Sequence, residues 1–133
     1  MSFSDYLEAA VLNHFFRNSA TSAPTTVYLA LYGSDPTDTG SAGTEVSGGS
    51  YARVAITFGA PGATNGIIAN TVAVTFPTAT ADYLSAANVT HFGILDASSG
   101  GNMLVSGAIT TPKTVLNGQR ATFDIGALTV TLS

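Results

Sequence analysis

Apolar residues recur at every fourth position near the start of the chain and at every second position through most of the remainder. Phe3, Leu7, Val11 and Phe15 are four apart, and Tyr6, Ala10, Leu12 and Phe16 widen the stripe. This spacing predicts an amphipathic helix over residues 1–18. Ser2 with Asp5 three positions later predicts a capping box, with Asp5 and Glu8 near the positive end of the helix dipole and Arg17 near its negative end. The small polar residues that follow, closed by Pro24, cannot continue a helix. The stripe is wide for a helix with one buried side. It suits either packing on the chain's own sheet or docking on a neighbour. Phe3, Leu7, Val11, Phe15 and Phe16 are the candidate contact residues for docking.

From residue 25 onward the period is two. Residues 27–32 are apolar on both faces, predicting a central strand, and 51–58 place Ala52, Val54, Ile56 and Phe58 on one face. Further strand patterns lie at 67–69, 71–76, 89–95, 103–109, 114–116, 120–125 and 128–132. Asn65-Gly66 and Asn117-Gly118 are strong turn signals. Residues 33–50, rich in glycine, serine and acids, read as a surface loop, and 78–88 as a second small-residue connection. Nothing helical separates the strands, so parallel crossovers are not expected. The expectation is a mainly β fold, an antiparallel β-sandwich or barrel of about eight short strands with one N-terminal amphipathic helix. It forms a single domain over 1–133, with the helix at 1–18 and the β-sandwich at 25–133.

Composition changes what the surface must do. Only 9% of the 133 residues are charged while 45% are hydrophobic, and mean hydropathy is +0.32. Ordinary domains carry about 25% charged residues. Strand edges are usually protected by lysines and inward charges, yet Lys113 is the sole lysine. Burial of edges and apolar patches against sister subunits answers both deficits. A net charge of −4, with Arg17, Arg53, Lys113 and Arg120 as the cations, provides no basic stripe for a nucleic acid. No run is long and apolar enough for a spanning helix, and no targeting segment is recognisable at the start. Absence of cysteine removes disulfides and thiolate chemistry.

Candidate chemistry is sparse. His14 lies on the helix and His91 in a strand, 77 positions apart and without the spacing of a zinc pair. A meeting of His91, Asp96 and one of the many serines would be needed for a triad, and no nucleophile elbow is present. Asp35, Asp38 and Glu45 are potential oxygen ligands for calcium but lack the regular loop spacing, so a solvated acidic loop is the expectation. Gly48-Gly49 and Gly100-Gly101 read as turn punctuation. The sequence therefore predicts no catalytic residue, no metal site and no cofactor.

Several stretches in order carry a resemblance: Met-Ser-Phe-Ser-Asp-Tyr-Leu-Glu at 1–8, Ser-Asp-Pro-Thr-Asp-Thr-Gly at 34–40, Glu-Val-Ser-Gly-Gly-Ser-Tyr-Ala-Arg at 45–53, Ala-Thr-Asn-Gly at 63–66, Val-Thr-Phe-Pro-Thr-Ala-Thr at 74–80, Thr-His-Phe-Gly-Ile-Leu-Asp-Ala at 90–97 and Gly-Ala-Leu-Thr-Val-Thr-Leu at 126–132. Over nearly the whole chain this resembles small tailed-bacteriophage virion proteins of the kind labelled phage tail fibre protein. The resemblance implies a non-enzymatic structural subunit of a virion assembled in the bacterial host cytoplasm. Its partners would be itself, as a homo-oligomer, and other virion structural proteins. Within that class a tail-fibre or tail-tip component stands beside a capsid decoration (cement) protein and a filament- or tube-forming subunit. A carbohydrate or cell-surface binding module is the different-class alternative, recognising a host surface glycan through the loops at 33–50, 59–66 and 96–102. Membrane and nucleic-acid partners are not expected.

Overall fold

The computed structural model describes residues 1–63 and 65–132. Thr64, in the 59–66 connection, and Ser133 lie outside the described residues. The fold is mainly β and antiparallel with one α-helix, as the two periodicities predict. In chain order the elements are β1 (Ser2–Phe3), α1 (Asp5–Phe16), β2 (Val27–Tyr32), β3 (Val54–Ile56), β4 (Ile67–Ala69), β5 (Val74–Thr75), a short turn at Tyr83–Ala86, β6 (Val89–Leu95), β7 (Met103–Lys113), β8 (Thr122–Phe123) and β9 (Thr129–Thr131).

Five strands form one sheet in the order β1-β7-β6-β2-β3. β2 is interior to it, as its two apolar faces require: Leu29, Leu31 and Ile94 join a core with Ile56 and Val105, while Ala30, Tyr32, Leu95 and Met103 pack together as a second cluster. On that second face Gly93 leaves room for its neighbours, since a Cβ there would lie 2.7 Å from Met103 Cε and 3.0 Å from Tyr32 Cε2 and would require Met103 to shift.

Two short ribbons, β4 with β9 and β5 with β8, continue the antiparallel arrangement. Phe58 bridges to Asn70, Gly59 N donates to Ala69 O at 3.0 Å and Thr71 N to Thr57 O at 2.9 Å, so the ribbons adjoin the continuation of β3. Their inward residues Val74, Phe76 and Leu128 close over the main core with Tyr83 and Val115. The strands curl but do not complete a barrel. Between the far half of β7 and β8 a cleft of about 540 Å³ remains where closure would occur.

Three local expectations are corrected. The helix begins at Asp5 rather than in the first residues, because Ser2 and Phe3 pair with Ser106 and Val105 of β7. Ser4, not Ser2, is the N-cap: its hydroxyl accepts from Leu7 N at 3.2 Å and donates to Met103 O. Separate strands at 103–109 and 114–116 are not formed. A single strand runs through the Thr-Thr-Pro-Lys segment, with two residue steps on β6 (Val89 to His91) opposing five on β7 (Ala108 to Lys113). Pro112 is tolerated in this wide bulge, where its missing N–H breaks no regular ladder.

Candidate assembly interface

Helix α1 is apolar on two sides, and only one of them is used within the chain. Ser4 N donates to Leu104 O at 2.9 Å and Asp5 N to Asp38 O at 3.0 Å, fixing the start of the helix to β7 and to the 33–50 loop. Leu7, Ala10 and Val11 are half-buried on the inner side, and Phe3 is half-buried in β1. The outer side carries Asp5, Glu8 and Leu12 with the two phenyl rings of Phe15 and Phe16, which are 73% and 80% exposed. Thus the five candidate residues divide: Phe3, Leu7 and Val11 face the chain's own body, whereas Phe15 and Phe16 project from it. Met1, Leu12 and Leu132, all exposed, border one groove beside the helix and extend this apolar surface. Largely exposed phenyl rings on an ordered helix are the kind of surface that marks a contact site.

The cleft is the complementary feature. Leu31, Phe92, Ile109, Phe123 and Leu128 supply its apolar walls, and Lys113 and Arg120 stand at one end, where they also line an adjoining depression with Gln119. No acidic residue lines either hollow. Among the described residues the sole ion pair is that of Arg53 with Glu45, and none of them provides a charged partner for Asp5, Glu8, Lys113 or Arg120.

The Arg53–Glu45 pair organises a different surface. Arg53 donates to both Glu45 oxygens, Nε to Oε1 and Nη2 to Oε2, each at 2.7 Å, and its Nη1 donates to Ala97 O at 2.9 Å and Gly100 O at 2.7 Å. Tyr51 Oη donates to Glu45 Oε1 at 3.1 Å and accepts from Leu31 N at 3.0 Å. The hydrogen bond to Glu45 is the main cause holding the Arg53 guanidinium charged above its ordinary range. Burial pushes the phenols up, Tyr32 from 10.0 to about 12 and Tyr51 further. Both Glu45 oxygens and all three Arg53 nitrogens are engaged, which makes this a structural clamp between the 33–50 and 96–102 loops. The third loop, 59–66, is bonded elsewhere, Leu132 N donating to Gly66 O at 2.9 Å. The single-sequence signal for the clamp is an arginine alternating with apolar residues in a chain that has few cations.

The remaining candidates do not converge. His91 Nδ1 shares a hydrogen bond with Thr90 Oγ1 at 2.9 Å, while Asp96 accepts from Asn102 N at 2.7 Å and from Asn102 Nδ2 at 2.9 Å to close the β6–β7 turn. His14 Nδ1 accepts from Thr21 N at 3.4 Å. Glu45 is committed to Arg53, and Asp35 accepts from Thr37 N at 2.8 Å in a local turn. Among the described residues no cluster of acids and histidines could hold a metal ion, and no helix is long and apolar enough to cross a membrane. Asn70 is a structural residue that no sequence pattern marks. Its side chain is buried and bonds Val72 O, Asp124 O and Leu128 N, each at 2.9 Å, filling the break between the two ribbons.

The family model described as Podophage GP4 fiber I protein gp80 matches residues 2–131. The chain belongs to this phage fibre family. No curated protein matches it. Membership makes the chain a structural component of the virion, in agreement with the resemblance carried by its motifs.

Proposed function

We propose that this chain is a non-enzymatic fibre subunit that self-associates and attaches to the tail of the particle, with the outer face of α1 as its principal contact surface. The observation that carries the reading is the exposure of Phe15 and Phe16 on a helix whose other side is already satisfied by β7. Burying one phenyl side chain is worth about 1.5–3 kcal/mol, so leaving two in water is a cost that only a partner removes. Low charge supports the same reading, because the strand faces carry few of the lysines that keep an isolated β protein from pairing.

Fibre-family membership favours a tail placement over capsid decoration. A glycan-binding use of the loops has less support, since the 33–50 and 96–102 loops are clamped together through Arg53 while 59–66 is bonded to the end of the ribbon. Sedimentation of the full chain at micromolar concentration tests self-association. The expected result is an oligomer that dissociates on dilution, and a monomer across the whole range would contradict it.

A further inference from the structure

We propose that copies of this chain join head to tail, the outer face of α1 in one copy seating in the β7–β8 cleft of the next. This rests on the self-association reading above and names the two surfaces that meet. The cleft's occupant cannot be the chain's own helix end: Phe15 lies beside Pro24, Asp96 and Leu104, none of which lines the cleft.

The two surfaces are opposite in charge, and each carries apolar side chains beside its charged end. The helix face is acidic at its start, with Asp5 and Glu8, and aromatic at its end, with Phe15 and Phe16. The cleft carries Lys113 and Arg120 at one end, and along the remainder the apolar Phe92, Ile109 and Phe123 stand among threonines. Among the described residues, none of these four charged groups has an ionic partner. Seating the helix with its carboxylates at Lys113 and Arg120 directs the phenyl rings toward the apolar side chains of the cleft. Opposite potentials in register set orientation as well as attraction. Because the two surfaces differ, the contact is heterologous, and each added copy presents a fresh helix or a fresh cleft. Such a contact propagates along a line or closes into a ring.

A mixing experiment distinguishes this arrangement from other modes of association. One variant carries Phe15→Ser and Phe16→Ser, losing the helix surface with an intact cleft. The other carries Lys113→Glu and Arg120→Glu, losing the cleft with an intact helix. Both change exposed side chains, and melting curves check folding. If the Arg120 change disturbs folding through its bond to Thr78 Oγ1 at 2.8 Å, Lys113→Glu alone replaces it. Sedimentation of each variant by itself is expected to show association weakened at least about tenfold. An equimolar mixture is expected to form a dimer and to stop there, since one intact helix meets one intact cleft and both remaining half-sites are dead. Either variant keeping the wild-type mass, or a mixture that stays monomeric while the wild type assembles, overturns the head-to-tail contact and leaves self-association standing. A monomeric wild type overturns both.

Discussion

At the scale of single residues, buried polar groups rather than apolar ones fix the least regular parts of the fold. Asn70 is 1% exposed, and its amide holds Val72 and Asp124 carbonyls while its oxygen receives Leu128 N. Asn70→Ala leaves those backbone groups unpaired and is expected to cost about 2–4 kcal/mol in urea unfolding. Asn70→Asp keeps the shape but cannot donate, so it should cost at least as much; an aspartate tolerated within about 1 kcal/mol contradicts the assigned role. The buried phenols give a pH signature. Unfolded tyrosine ionises near 10.0 whereas native Tyr32 holds its proton to about 12, raised first by burial and then by Glu45. The stability this contributes is complete below the lower value and is lost as pH rises through the upper one. Unfolding free energy measured from neutral pH upward should fall above pH about 10, and a flat profile to pH about 12 would count against the buried network.

At the scale of elements, the helix and β2 were legible because each is specified by many residues at one period. Leu29 and Leu31 alternate with Ala30 and Tyr32, and no local accident moves that pattern to another face. The helix start was misread because Ser2 and Ser4 are both plausible caps, and the choice depends on β7, a hundred residues away, which pairs Ser2 and Phe3. Pro112 suggested a break in β7 because a proline removes one donor, but the wide bulge opposite Val89 absorbs the loss. Asn70 left no trace at all, since nothing local marks an asparagine whose partners are 54 and 58 positions distant. The apolar stripe of α1 was visible as a stripe, but its division into an inner and an outer half follows from where β7 lies. That division predicts different outcomes for neighbouring substitutions. Leu7→Ser, on the half-buried side, should lower stability by about 1–2 kcal/mol. Phe16→Ser should change it by less than about 0.5 kcal/mol, and equal effects in a denaturant titration would contradict the split.

At the scale of the whole molecule, a chain this poor in charge has ordered its few ionic groups unevenly. Arg53 and Glu45 pair to clamp two loops, whereas Asp5, Glu8, Lys113 and Arg120, on two separate surfaces, find no ionic partner among the described residues. Each of those surfaces also carries apolar area that its own fold does not cover. On the proposed assembly, the missing closure of the β curl and the bare side of the helix are two halves of one contact. Membership of a phage fibre family supplies the setting in which many copies meet. The most direct measurement is the amount of this chain in purified particles when it carries Phe15→Ser and Phe16→Ser. The variant is expected to fold and accumulate in the host yet be depleted from the particles, and incorporation at the wild-type level would contradict the use of α1 as the contact surface.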